Sequence, residues 1–189
     1  MNIQSFINHY GNIDIAPAMI AIARSEDDLG VVLRVHLLCE KFLEAWICGI
    51  TGYDNLFVEA PQSGDFKMEF SQKLKMCQLT GLPDNAYRAM KKINDVRNSF
   101  AHRISTRSIQ NGDIDSIYHH VGTLSNSYLS FPLSEYEARI RNENNDDWAV
   151  YSLVSVDTPN RIKLMCLHGA LSKCLFIHLG MLPLSPQEG

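Results

Sequence analysis

Between Ile93 and Arg103 the chain reads I-N-D-V-R-N-S-F-A-H-R, which brings an arginine, an amide and a histidine close together as Arg97, Asn98 and His102. These residue types suit phosphodiester chemistry. A guanidinium offers a rigid fork to phosphate oxygens and stabilises the charge that builds on them, and an imidazole moves a proton near neutral pH. In RNA the 2′-hydroxyl is an internal nucleophile, so such a site needs no metal ion and leaves a 2′,3′-cyclic phosphate. In that reading His102 is the acid-base group, Arg97 holds the phosphate and Asn98 orients the pair. The plainer reading has Arg97 and His102 as polar groups near a helix end, where cations complement the helix dipole and the last carbonyls.

Spacing constrains the first reading. A helix turns 100° per residue, so positions five apart diverge by about 140° and lie about 7.5 Å apart along the axis. Asn98 and His102, four apart, share a face. Arg97 and His102 converge only if the helix ends or bends near Ser99, or if a second copy supplies the partner across a two-fold axis.

The elements that must carry these residues are mostly helical. Ser25 and Asp28 resemble a capping box, opening a long helix whose apolar residues Val31, Val35, Leu38, Phe42 and Trp46 mark one face. A second run, Val32, Cys39, Leu43 and Ile50, predicts that this helix is central and covered on more than one side. Before it, Pro17 suits the first turn of a short helix to Arg24. Residues 51–65 carry loop chemistry. Phe66, Phe70, Leu74 and Cys77 predict a helix ending near Gly81, and a further helix from Pro83 or Asp84 keeps its beat through Tyr87, Met90, Ile93 and Val96. Beyond Arg103 the pattern is less regular. D-I-D-S-I-Y-H-H-V-G-T-L suits one short helix, R-N-E-N-N-D-D an exposed loop, and W-A-V-Y-S-L-V-S-V a strand without an evident partner. Thr158 and Pro159 predict the start of a last helix running to about Leu179.

Composition sets the outer bounds. With 189 residues, 46% hydrophobic and 20% charged, the chain fits one domain, residues 1–189, able to bury a core without staples. Seventeen Lys and Arg against 21 Asp and Glu give a net charge of -4, which excludes broad attraction to a phosphate backbone and requires any nucleic-acid contact to be local. The five cysteines form no C-x-x-C pair and are expected to be reduced core residues of a cytoplasmic protein. The N-terminus shows no basic leader, and its longest apolar run is too short to span a bilayer. No nucleotide fingerprint, metalloprotease motif or nucleophile elbow is present, and neither cofactor nor metal is implied.

Other polar residues have simpler readings. His36, Glu40 and Glu44 recur every four residues on the long helix and are expected to satisfy one another or a neighbouring helix, with Glu40 and His36 as accessory polar groups beside Arg97. His119 and His120 diverge on a helix or a strand alike. His168 and His178 lie on the last helix, and Cys166 is wrongly spaced from His168 to form a nucleophilic pair.

The segment from Phe70 to His102 resembles the mannitol operon repressor family and its uncharacterised relatives, which look like members of the HEPN superfamily. Lys73-Leu74, Gly81-Leu82, Tyr87, Ile93 and above all R-N-S-F-A-H carry the likeness. The superfamily's motif is an Arg, often followed by Asn, Asp or His, and then a His; Arg97, Asn98 and His102 fill these places. About a third of the chain is covered, the helix from Asp28 more loosely. The resemblance implies an all-α, HEPN-like bundle of four to five helices that dimerises. It further implies either a metal-independent endoribonuclease of toxin or anti-phage type, with RNA as substrate and an antitoxin as partner, or a non-catalytic regulator that binds protein or DNA. Retention of Arg97 and His102 points to the former, the negative charge to the latter.

Overall fold

The computed structural model describes residues 1–11, 20–22, 24, 25, 27–57, 67–102, 108–141 and 148–183, together with all their side chains except those of His102 and Arg141. The chain is an all-α helical bundle with one small hairpin. Its elements are α1 (Ile3–Gly11), α2 (Asp28–Thr51), α3 (Phe70–Leu79), α4 (Asp84–His102), α5 (Asn111–Ser125), a 3-10 turn (Leu133–Glu135), β1 (Glu137–Arg141), β2 (Trp148–Ser152) and α6 (Asn160–His178).

α2 is the central helix. Both apolar runs are needed, because α1, α3, α4 and α6 all pack against it. Val31, Val32, Val35, Leu38, Cys39, Phe42, Leu43 and Trp46 are buried, while Ile50 at the C-terminal end is partly exposed. The cap is not the expected Ser25. The Asp27 carboxylate accepts from the Leu29 and Gly30 amides at 3.1 and 2.8 Å, and Asp28 instead accepts from the Ile109 amide at 2.9 Å, tying α2 to the start of α5. Ser25, Asp27 and Asp28 are all competent caps; the one whose backbone is extended where the helix begins takes the role.

α3 and α4 form the expected hairpin across Gly81 and Pro83. The apolar face of α4 is narrower than the predicted beat: Ala86, Ala89, Met90, Ile93 and Val96 are buried, and Tyr87 is only partly so. Small alanines let α4 lie close to its neighbours. The helix continues unbroken to His102, so it does not end near Ser99.

After residue 107 the chain is more regular than its pattern suggested. α5 packs between α4 and α6, and β2 has an antiparallel partner in β1, with Ala138 opposite Tyr151 and Ile140 opposite Ala149. Ala138, Ile140 and Tyr151 rest on the bundle, whereas Trp148 and Val150 are exposed, the two-residue alternation of a half-buried ribbon. The bundle supplies the support that a two-stranded ribbon lacks alone. The expected loop 142–147, the segment 12–19 containing Pro17, and Phe66 lie outside the described residues. Thr158 does not cap α6; its hydroxyl donates to the Ser152 carbonyl at 2.7 Å, and Pro159 occupies the cap position. At the other end Gly180, at φ 70°, closes the helix: its amide and that of Met181 reach back to the Ile177 and Phe176 carbonyls at 2.9 Å each.

All five cysteines are buried free thiols. Burial pushes Cys39 up to about 12 and Cys166 and Cys174 to about 11, which leaves them protonated and unreactive at neutral pH. No helix among the described residues is long and apolar enough to cross a membrane.

Candidate functional site

Where α2, α3 and α4 meet, His36, Glu40, Met68, Glu69, Phe70, Ser71, Asn94, Arg97 and Asn98 line a cleft of about 260 Å³. Four of the five residues singled out in the sequence, His36, Glu40, Arg97 and Asn98, therefore share one cavity. The fifth, His102, ends the same helix as Arg97, and its side chain lies outside the described residues. Because α4 is continuous, the five-residue offset between Arg97 and His102 keeps its angular separation of about 140°.

Helical spacing explains the α4 contribution. Asn94, Arg97 and Asn98 stand at i, i+3 and i+4, one polar stripe beside the apolar one. Arg97 donates from a terminal nitrogen to Asn98 Oδ1 at 3.2 Å. Its Nε is buried and has no hydrogen-bond partner among the described residues. An unmet donor on a cation is costly unless a ligand satisfies it, and the guanidinium fork matches the oxygens of a carboxylate or a phosphate.

From α2, His36 reaches Asn94 Oδ1 through Nε2 at 3.0 Å and packs against Phe70 with the rings tilted by 31° at a centroid distance of 4.4 Å. Burial is the main force lowering its pKa. The Asn94 bond and Glu40 oppose that, while Arg97 and Lys73 add to it, and the balance falls below the ordinary imidazole value. At pH 7 His36 is neutral.

One turn along α2, Glu40 is held from behind. Lys73, with its side chain only 6% exposed, donates to Glu40 Oε1 at 2.8 Å and to Glu44 Oε1 at 2.6 Å. The ammonium also sits 5.1 Å from the centre of the Phe57 ring. Glu44, deeper in the bundle, receives Lys41 at 2.6 Å and lies 3.5 Å from His9 Nε2. Burial alone would raise the Glu44 carboxyl, but the hydrogen bonds from His9, Lys41 and Lys73 outweigh it and hold the group at about 2. The expected internal satisfaction of His36, Glu40 and Glu44 is thus met by four partners the sequence reading did not name: Asn94 on His36, Lys73 on both glutamates, and Lys41 and His9 on Glu44. Asn94 was detectable as the residue three before Arg97 on the same face. Lys73 carried no such signal: its place beside the apolar stripe of Phe70, Leu74 and Cys77 gains meaning only once the two glutamates of α2 stand opposite it.

The remaining histidines stay outside this cleft. His119 and His120 lie on α5, where their rings do not diverge as expected but meet edge to face at a centroid distance of 5.3 Å, and His178 Nδ1 lies 2.8 Å from the Tyr128 hydroxyl. His168 is buried in α6, its Nδ1 has no hydrogen-bond partner among the described residues, and desolvation alone brings its pKa down to about 4. No cluster of three His, Cys, Asp or Glu among the described residues is placed to hold a metal ion. Elsewhere on the bundle Phe6, Ile7, Tyr10, Phe176, Met181 and Leu182 border an apolar groove with no chemistry-bearing group other than the tyrosine hydroxyl. No known protein family matches the chain, and neither a curated protein nor a solved structure is detectably similar to it.

Proposed function

We propose that the protein is a metal-independent endoribonuclease of the HEPN type, with the α2/α3/α4 cleft as the seat of the scissile phosphate. One observation carries the reading: Arg97 lines a polar cleft together with Asn94, Asn98, His36 and Glu40, and its Nε lacks a partner among the described residues. Arg97 takes the phosphate and stabilises the charge of the transition state. Asn98, already bonded to the guanidinium, fixes its orientation. His36 is neutral at pH 7 and Lys73 is occupied by two carboxylates, so among the described residues Arg97 is the cleft's positive charge with no salt-bridge partner.

His102 transfers the proton between the 2′-hydroxyl and the leaving 5′-oxygen. Since α4 does not break before His102, the copy of His102 that meets Arg97 comes from a second chain, and the working form is a homodimer. A toxin or anti-phage role follows from uncontrolled RNA cleavage, with a protein antidote as partner.

The test is cleavage of single-stranded and transfer RNA in EDTA by the wild type, Arg97→Ala and His102→Ala. The wild type is expected to leave 2′,3′-cyclic phosphate ends, and each variant to lose at least about 100-fold in rate. Equal rates in all three, or none in any, reject the reading. The net charge of -4 favours a second one, a non-catalytic regulator of the mannitol repressor type acting through protein or DNA. It requires no cleavage, and a partner interaction that survives His102→Ala.

A further inference from the structure

The cleft holds a carboxylate as well as a cation, and a phosphate alone does not account for it. Glu40 opposes an anionic ligand, yet it is fixed in place: Lys73 grips Oε1 from the buried side, and Oε2 makes no hydrogen bond among the described residues. Beside it stand two amides that are each half used. Asn94 gives its oxygen to His36 and Asn98 gives its oxygen to Arg97, and neither amide nitrogen has a partner among the described residues. Met68 and Phe70 supply an apolar side to the same cavity. The ligand this arrangement suits carries an anion for Arg97, a pair of adjacent donors for a carboxylate, an acceptor for an amide N–H, and a flat apolar body.

We infer that the cleft selects a guanine base next to the phosphate bound by Arg97, with Glu40 as the residue that determines the specificity. This rests on the reading of the cleft as an RNA phosphate site and adds the nucleotide to it. Guanine is the only one of the four RNA bases whose Watson–Crick edge presents two neighbouring donors, N1–H and the N2 amino group, which a carboxylate accepts as a bidentate pair. Its O6 is the acceptor left for an Asn94 or Asn98 amide. Adenine and cytosine each place a ring acceptor beside their amino donor, and uracil flanks its single N3–H with two carbonyls, so each sets a lone pair against the carboxylate. Single-stranded RNA exposes these edges and the base faces. A cleft of about 260 Å³ falls below the roughly 300–1,000 Å³ of drug-sized pockets and is suited to one nucleotide rather than a folded RNA element. Lys73 is the positioning residue: its ammonium holds Glu40 Oε1 at 2.8 Å and Glu44 Oε1 at 2.6 Å, which fixes the direction of the Glu40 carboxylate.

The test measures binding of the full-length wild-type chain to the 3′-monophosphates of guanosine, adenosine, cytidine and uridine, and to inorganic phosphate, by calorimetry in EDTA. Guanosine 3′-monophosphate is expected to bind at least about tenfold more tightly than the other three, in keeping with one good bidentate base contact. In Glu40→Gln, which has one acceptor and one donor in place of two acceptors, the four affinities are expected to converge. Glu40→Asp, which withdraws the carboxylate but keeps the charge beside Lys73, is expected to do the same. Comparable affinity for all four nucleotides in the wild type overturns the inference before any variant is made, as does a guanosine preference that survives both substitutions in folded protein. Mapping cleavage sites on mixed-sequence RNA separates the two levels. Cleavage without base preference overturns the guanine assignment and keeps the nuclease; guanosine-selective binding without cleavage does the reverse.

Discussion

His36 and His168 are both almost completely buried, 7% and 5% exposed, and both have pKa values lowered mainly by desolvation, yet the bundle treats them differently. His36 lies at the wall of a polar cleft, with Asn94 bonded to Nε2, Phe70 packed at a tilt against its ring and Glu40, Lys73 and Arg97 near enough to shift its proton affinity. His168 is buried in α6, its Nδ1 has no hydrogen-bond partner among the described residues, and no neighbouring charge is among the causes of its shift. Burial by itself makes an imidazole neutral. Partners and an opening to solvent make it useful, and the α2/α3/α4 cleft has both, where among the described residues His168 has no partner for Nδ1 and is 5% exposed.

The largest expected effect breaks the support behind the cleft. Lys73→Ala leaves Glu44 and Glu40 without the cation they share, and loss of one partner from a buried ionic cluster costs about 3 kcal/mol or more. Urea denaturation of wild type and variant measures it.

His168 sharpens the comparison through pH. Its folded pKa of about 4 lies below the ordinary imidazole value, so the unfolded chain binds the proton first as pH falls, and stability drops from about pH 6.5 down toward 4. Between pH 7 and 5 the drop assigned to this residue is on the order of 2 kcal/mol. His168→Leu is expected to remove that part of the pH dependence, visible as a flatter midpoint against pH in urea. Glu44 does not interfere in that window. Its carboxyl is depressed to about 2, so its stabilising contribution is complete above about pH 4.5 and is lost only as the pH falls further.

Smaller again is the tether of His36. Asn94→Ala removes one neutral hydrogen bond, expected to cost about 1 kcal/mol, and returns freedom to the imidazole. The same substitution at the surface of the hairpin, Val150→Ala, is expected to change stability by no more than about 0.5 kcal/mol.

Much of the cleft was legible before any coordinates. The apolar stripe of α2, with His36 and Glu40 at four-residue spacing, and the polar stripe of α4 around Arg97 follow from helical periodicity alone. What periodicity does not encode is a buried lysine: Lys73 reads as a surface residue until the glutamates of a second helix are seen opposite it. Nor does it choose among neighbouring caps, which is why Asp27 rather than Ser25 starts α2. The strand Glu137–Arg141 escaped detection because E-A-R-I-R is short and charged at alternate positions, and its apolar face of Ala138 and Ile140 gains meaning only against the bundle.

The central claim, that this cleft acts on an RNA phosphate through Arg97, is tested most directly by comparing two arginines of one helix. Arg88, exposed and paired with Asp84 at 2.7 Å, is the control for Arg97. In EDTA, Arg97→Ala is expected to slow RNA cleavage by at least about 100-fold while Arg88→Ala stays within about twofold of wild type. Equal losses in the two variants, or an unchanged rate in Arg97→Ala, would contradict the account.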